Sequence, residues 1–106
     1  MAKYLFIANY TLEGARGLIK DGGSGRVAAV RGMAESMGAK LEAFYFGFGN
    51  DDAYVIIDAP DNVGAAAASL AVSAGGGATV RTVVLLSAEE MDEAARRTPQ
   101  YRAPGA

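Results

Sequence analysis

Apolar and aromatic side chains concentrate in four short segments of the chain, and the composition of these segments is typical of β-strands. Val, Ile, Tyr and Phe favour extended backbone, and they are frequent in Lys3–Tyr10, Leu41–Phe48, Ala53–Ala59 and Ala78–Leu86. Only Gly49–Asp52 separates the second segment from the third, and Gly, Asn and Asp favour turns. These two segments are therefore predicted to form a β-hairpin.

The region between the first strand and the hairpin has the apolar spacing of an α-helix, interrupted by glycines. Thr11 is a candidate N-cap for a helix over 12–20, which is weakened by its own glycines. The segment 21–25 either ends this helix or turns it, and a second helical segment follows over about 26–37. We expect two helical pieces here with a break between them.

A further helix is predicted after the hairpin, capped by Asp61 or Asn62 and running to about Ala74, where three glycines follow. Its many alanines indicate a close approach of the helix to the sheet. The residues expected to face the core are Val63, Ala66, Ala67, Leu70 and Ala71.

The last predicted helix covers about 88–97 and begins at a capping box formed by Ser87 and Glu90. The order strand–helix–strand–strand–helix–strand–helix is the split βαβ pattern of a ferredoxin-like sandwich, an α+β fold with a four-stranded antiparallel sheet. We assign residues 1–97 to a single domain of this type. Residues 98–106 are predicted to be an extended or flexible tail.

Both faces of the predicted sheet are apolar, because side chains alternate along each strand and neither side is polar throughout. A ferredoxin-like fold places its two main helices on one face only. We expect the helices to cover an aliphatic set, which consists of Leu5, Ile7, Val55 and Ile57. An aromatic set is then expected on the other face: Tyr4, Phe6, Phe44, Phe46, Phe48 and Tyr54.

An aromatic patch of that size is too large to be left in water, so the chain is predicted to form a homo-oligomer, either a dimer or a larger assembly. Phe6, Phe44, Phe46 and Phe48 are the candidate interface residues. A second subunit stacked on the sheet would also allow a pocket between subunits. The alternative is that the chain's own tail covers the patch.

The composition excludes several kinds of chemistry. The chain of 106 residues has no cysteine and no histidine, so it has no thiolate or imidazole to serve as nucleophile, general base or metal ligand. Its net charge of −2 does not support binding of nucleic acid or of an anionic membrane. No metal site and no cofactor are predicted. No apolar run is long enough to span a membrane and no signal-peptide pattern opens the chain, so a cytoplasmic location is expected.

The acidic residues of the hairpin are candidate site residues. Asp51 and Asp52 either bind a hard cation or supply a general base, or they only bond the amides of the turn. Asp58 is assigned to the aromatic face, where a buried carboxylate needs a cationic partner such as Arg81. Arg81 itself lies in the middle of an apolar strand, either to bind a carboxylate or phosphate or to protect a sheet edge.

Arg26 follows a glycine-rich segment and either helps to bind an anion or only opens its helix. The tyrosines Tyr4, Tyr10, Tyr45 and Tyr54 either donate protons in a pocket or fill the core and the interface. The candidate ligand-binding residues are therefore Arg81, Asp58, Arg26, Tyr4, Tyr54 and Asp52. No catalytic residue is assigned.

Short motifs spread over roughly residues 3–95 match the pattern of one known family. The hairpin turn Gly49–Asp52 is followed by a strand and then by Ala59–Asp61. Further matches are Tyr4, Tyr10, Thr11, Gly14, Arg26, Val80–Thr82, Glu89 and Glu90. Together these motifs resemble the signature of the GYD-domain proteins, small bacterial proteins with a dimeric α/β-barrel type of fold. Asp51 stands where that family has its signature tyrosine, while the aspartate after it is kept as Asp52.

The resemblance implies a ferredoxin-like fold and, by analogy with related dimeric barrels, a pocket for a small molecule. It implies no particular chemistry, because the family is itself functionally uncharacterised and a shared fold does not assign an activity.

Three functions are compatible with the sequence. The first is an oligomeric module that binds a small apolar or anionic ligand, either between the helices and the sheet or between subunits. The second is a cofactor-independent enzyme, similar to the monooxygenases, isomerases and decarboxylases of related dimeric barrels, which would use Asp, Arg and Tyr groups. That function requires Asp58 to line a cavity. The third is a self-associating structural protein without a pocket, and we rank ligand binding first.

Overall fold

The computed structural model describes all residues, 1–106, and shows a four-stranded antiparallel sheet with two helices packed on one face. The strands are β1 (Ala2–Tyr10), β2 (Lys40–Phe46), β3 (Ala53–Ala59) and β4 (Ala78–Leu85). The helices are α1 (Leu12–Ser36), α2 (Asn62–Ala74) and α3 (Ala88–Arg96). The strand order is β2–β3–β1–β4, so β2 and β4 form the sheet edges. The α+β, ferredoxin-like fold predicted from the sequence is confirmed.

The pairing of β1 with β3 decides which side chains lie under the helices. Tyr4 pairs with Ile57 and Phe6 pairs with Val55, so these four side chains point to the same side of the sheet. Tyr4 and Phe6 are only 2% and 7% exposed. The other buried residues of this core are Val30, Ala34, Ala39, Ala59, Ala65 and Ala68.

The expected division into an aliphatic face under the helices and an aromatic face away from them is therefore wrong. Alternation groups the residues of β1 and of β3 correctly within each strand. It does not determine how the two strands pair, and the observed register joins the aromatic residues of β1 to Val55 and Ile57. Leu5 and Ile7, which were expected under the helices, point to the opposite side of the sheet, although Ile7 is only 9% exposed there.

The side of the sheet away from the helices, called the open face below, is nevertheless apolar. Its apolar residues are Leu5, Ile7, Ala43, Tyr45, Tyr54, Ile56, Val83 and Leu85. The helices α1 and α2 pack on the other side, and Tyr45 is 72% exposed. The sheet thus has two apolar faces, as expected, but the uncovered face is built mainly from aliphatic residues and two tyrosines.

The phenylalanines of the hairpin do not lie on the open face, which corrects their expected place. Phe44 packs against the core and contacts Phe46, with the ring centroids 4.8 Å apart. Strand β2 ends at Phe46, so Phe48 lies in the turn with its side chain fully exposed. A bulge between Leu41 and Ala43 brings Leu41 to the helix side, where it packs on the core.

Helix α1 consists of two helical pieces, which confirms the predicted break within 21–25. The break lies at Gly22, whose φ of 75° and ψ of 169° are not helical. Positive φ carries little strain only for glycine. The second piece carries the buried residues of the helix, Val30 and Ala34.

The first turn of α1 is held against the loop between α2 and β4. Thr11 caps the helix by accepting a hydrogen bond from the amide of Gly14, and its hydroxyl donates to the carbonyl of Gly76. The amide of Thr11 donates to the carbonyl of Gly77 at 3.0 Å. A Cβ atom on Gly14 would lie 1.7 Å from that carbonyl oxygen, so only glycine fits at this position.

The inward face of α2 differs from the expected one. Asp61 caps the helix, and Ala65 and Ala68 are buried against the sheet. Val63 and Leu70 are 77% and 71% exposed. The whole predicted core face is exposed, since Ala66, Ala67 and Ala71 also lie outside. This helix has no charged residue, and its polar residues Asn62, Ser69 and Ser73 do not lie opposite the buried alanines, so the polar positions alone do not give its rotation.

Helix α3 forms where it was predicted, but none of its residues is buried. The amide of Glu90 donates to the Ser87 hydroxyl, and the amide of Ser87 donates to the Glu90 carboxylate, which is the predicted capping box. Because the backbone and then the side chain of Ser87 bond this carboxylate, the pKa of Glu90 lies below its ordinary value.

We expect Gly14→Ala to lower the free energy of unfolding by about 1–3 kcal/mol, the usual cost of overpacking, because the new methyl group collides with a backbone oxygen. Gly32→Ala is the matched control, since it adds a methyl group to the same helix with nothing within 4 Å. It should be neutral or stabilise the protein by up to about 1 kcal/mol. Urea denaturation followed by circular dichroism measures both variants, and equal stabilities would contradict the close contact.

Candidate functional site

A cavity lies between α1 and α2 above the sheet, and it is called the interhelix cleft below. Its inner part has a volume of about 40 Å³, and 13 of its 14 lining residues are hydrophobic. Its outer part, between the two helices, has a volume of about 370 Å³. The two parts are neighbours, since they share the lining residues Tyr10, Arg26, Val30, Met33, Val72 and Ala78.

The cleft exists because the residues that line it between the helices are small. The small residues along it are Gly14, Gly17, Ala29, Ala68, Ala71, Gly75, Gly77 and Ala78. The backbone contact between Gly14 and Gly77 joins the start of α1 to the loop after α2 at one end of this region. The space beyond that contact stays open, with an apolar inner part and an outer part that Asp21 and Arg26 also line.

Arg26 is the only charged residue that lines the inner part of the cleft. It is half-buried, and its guanidinium takes part in none of the salt bridges of the chain. Asp21 lines the outer part but forms no salt bridge with it. A guanidinium offers five N–H donors in a planar fork, which suits a carboxylate or phosphate. Arg26 is therefore the residue best placed to bind an anionic group in the cleft.

Tyr10 lines both parts of the cleft and also a neighbouring pocket of about 350 Å³ beside the hairpin turn. It is the last residue of β1, and its backbone amide donates to a carboxylate oxygen of Asp52 at 2.8 Å. This bond holds the end of the strand in place. A phenol at this position adds one polar group to an otherwise apolar wall.

The hairpin aspartates Asp51 and Asp52 bond the chain's own groups. Asp51 accepts a hydrogen bond from the side-chain amide of Asn9 at 2.9 Å, and its carboxylate lies 3.4 Å from the guanidinium of Arg81. Asp52 accepts the hydrogen bond from Tyr10 described above. Both carboxylates therefore connect the turn to β1 or β4, and neither accepts a hydrogen bond from an amide of the turn itself, which differs from the turn bonding considered for them.

Asp58 does not line any part of the cleft. The prediction that its carboxylate pairs with Arg81 is wrong. It lies on the open face, where its carboxylate is 3.0 Å from Nζ of Lys3 rather than near Arg81. The same ammonium group lies 2.6 Å from the carboxylate of Glu42. The hydrogen bonds that this ammonium donates, first to Glu42 and then to Asp58, stabilise its charged form and raise the pKa of Lys3 above its ordinary value.

Of the candidate ligand-binding residues, only Arg26 lines the interhelix cleft. Tyr4 is buried, and its hydroxyl donates to the side-chain oxygen of Asn62 at 2.6 Å, which ties β1 to the first turn of α2. Tyr54 lies on the open face, where it pairs with Tyr45 of β2.

Val72 and Ala78 are cleft residues that the sequence analysis did not single out. The available signal was the run of alanines in α2 followed by glycines. That run was interpreted as close packing of α2 on the sheet, which holds for Ala65 and Ala68. The same small residues also leave space between α2 and α1. This space cannot be predicted from the sequence of α2, because it depends on where α1 lies.

A known family matches almost the whole chain. The model of the GYD domain aligns with residues 4–95, from β1 into α3. The chain belongs to the GYD domain family. The resemblance stated from the hairpin motifs is thereby confirmed. Comparisons with curated proteins and with solved structures found no match.

This GYD-domain protein has no helix that is both long and apolar enough to cross a lipid bilayer. It also has no group of three or more acidic side chains arranged to hold a metal ion. Its cytoplasmic location stays a prediction.

We expect Asp52→Ala to lower the free energy of unfolding by about 1.5–3 kcal/mol, because the amide of Tyr10 loses a charged acceptor. Arg81→Met removes a salt bridge whose arginine side chain is 66% exposed, so it should change stability by no more than about 1 kcal/mol. Urea denaturation of both variants measures the difference. A larger loss for Arg81→Met would show that Arg81, rather than Asp52, holds the turn.

Proposed function

We propose that this GYD-domain protein is a self-associating module that binds a small apolar molecule carrying one anionic group. The observation that supports this proposal is Arg26, a half-buried cation without a salt-bridge partner, in a cleft whose inner wall is otherwise hydrophobic. The apolar part of the ligand enters the cleft and its anionic group binds the guanidinium.

The dimensions of the cleft support a ligand of this kind. The outer part, at about 370 Å³, falls within the range of roughly 300–1,000 Å³ that is usual for small-molecule sites. The inner part, at about 40 Å³, accommodates only a small apolar end group. An ion pair formed at the edge of an apolar cavity is less screened than one in open water, which strengthens the contact with Arg26.

Self-association is supported by the open face. Sheets in water normally alternate apolar residues inside with polar residues outside, but this face combines aliphatic residues with the rings of Tyr45 and Tyr54. Its charged groups are largely paired with one another, as in the contact between Lys3 and Asp58. Stacking of two such faces removes both from water, as sheets pack in β-sandwiches.

Catalysis is less well supported than binding. The enzyme hypothesis required a titratable base in a cavity, and Asp58 instead bonds Lys3 on the open face. The titratable groups that line the cleft are Tyr10, Asp21 and Arg26. A purely structural role does not account for the cleft or for the unpaired guanidinium of Arg26. We therefore rank the structural role below ligand binding as well.

The ligand proposal predicts that phenylacetate binds more tightly than its neutral analogue phenylethanol. Arg26→Met should weaken the binding of phenylacetate about tenfold or more, because a hydrogen-bonded charge contact contributes about 1.5–3 kcal/mol, and it should leave phenylethanol unaffected. Arg31→Met is the matched control, since Arg31 is an exposed arginine of the same helix that does not line the cleft. Titrations followed by nuclear magnetic resonance measure the affinities of the wild type and both variants for the two ligands. Equal losses for the two variants would exclude Arg26 as the anion site.

The self-association proposal predicts that Tyr54→Lys raises the dissociation constant of the oligomer at least about tenfold, because a charge is placed within the stacked faces. Ile19→Lys adds the same charge at an exposed position of α1 and should have no effect. Sedimentation equilibrium measures both variants. A wild-type chain that remains monomeric at micromolar concentration would contradict the proposal.

A further inference from the structure

The C-terminal segment 87–106, called the arm below, extends away from the rest of the chain. Every one of its residues is exposed. The chain is 55 Å long in its longest dimension and its Cα radius of gyration is 16.7 Å, against about 13 Å for a compact chain of this length. The hydrogen bonds and salt bridge of the arm described by the structure all join one part of the arm to another.

The sequence of the arm nevertheless specifies a helix with an apolar stripe. Ser87 and Glu90 form the capping box, and Met91, Ala94 and Ala95 share one side of α3 at helical spacing. An isolated helix of nine residues is marginal in water, and amphipathic helices derive most of their stability from packing that stripe. Since the stripe packs on no part of its own chain, we expect it to contact a surface of another molecule.

Helix α2 also has an apolar side that nothing in its own chain covers. Its outer side, opposite Ala65 and Ala68, carries Val63 and Leu70 at 77% and 71% exposure, with alanines between them. The helix has no charged residue on any side. Its polar residues Asn62, Ser69 and Ser73 lie between the side packed on the sheet and this outer apolar side. An exposed apolar helix side is favoured to be covered, and its small side chains allow another helix to approach closely.

We propose that the arm of one copy packs its stripe of Met91, Ala94 and Ala95 on the outer side of α2 of a second copy. The two surfaces occur once in each chain, so a symmetric pair satisfies both arms and both outer sides. Only Leu86 and Ser87 connect β4 to α3, and so short a link leaves the arm little freedom to fold back on its own chain. Short hinges of this kind favour exchange between copies. The contact extends the proposed self-association to a surface other than the open face.

Disulfide trapping tests the contact directly, since the chain has no cysteine of its own. Met91→Cys and Leu70→Cys are prepared separately, one of them isotope-labelled, then mixed and oxidised gently. Mass spectrometry is expected to find a disulfide between a labelled and an unlabelled chain. Glu93→Cys is the control for the arm, because Glu93 lies on the other side of α3, and it should give about tenfold less of the mixed disulfide.

A chain that ends at Leu86 provides a second measurement. Since the arm has no buried residue, the shortened chain should keep its fold and self-associate about tenfold more weakly in sedimentation equilibrium. Equal trapping by Met91→Cys and Glu93→Cys, or undiminished association of the shortened chain, would overturn the proposal. The sheet-face proposal is tested separately, since Tyr54→Lys leaves both the arm and the outer side of α2 unchanged.

Discussion

The structure depends on one constraint: a four-stranded sheet has two apolar faces, and the chain packs helices on only one of them. The covered face joins aromatic residues of β1 to aliphatic residues of β3, and Tyr4 is anchored there by its bond to Asn62. The other face keeps a layer of aliphatic side chains and tyrosines without a cover. The hydrophobic effect acts on both faces alike, so the same force that builds the core also favours association of the open face.

The helix layer combines one very close contact with one gap. The approach of Gly14 to Gly77 locks the start of α1 against the loop before β4. Beyond this contact the small side chains of α2 do not reach α1, and a cavity remains with Arg26 in its wall. Close packing is the rule in protein interiors, and this gap beside Arg26 is the departure from it on which the proposed ligand site rests.

The polar groups of the chain divide into those already bonded and those still available. Asp51, Asp52 and Asp58 each bond a group of their own chain, and they hold the turn, the end of β1 and the open face. In a chain without histidine or cysteine, this leaves few groups for chemistry. Arg26 takes part in none of the salt bridges, and a guanidinium is suited to binding an anion rather than to proton transfer.

Several features could be predicted from local sequence alone. The strands, the break in α1 and the capping box of Ser87 and Glu90 all follow from residues that are near one another in the chain, and the family follows from short motifs that are each local. Backbone preference, glycine conformation and capping are local properties, so a short segment is enough to determine them. The alternation within β1 and within β3 was predicted correctly for the same reason.

The pairing of strands and the rotation of helices required the tertiary structure. Whether Phe6 faces Val55 or Ile56 depends on the register between distant strands, and a shift by one residue exchanges the two faces. The alanine-rich helix α2 has no charged residue, and only its contacts with the sheet show that Leu70 points outward. The cleft beside Arg26 lies between two helices that are far apart in sequence. The sequence determined the elements of this protein, whereas contacts between distant elements decided which faces are buried and where the site lies.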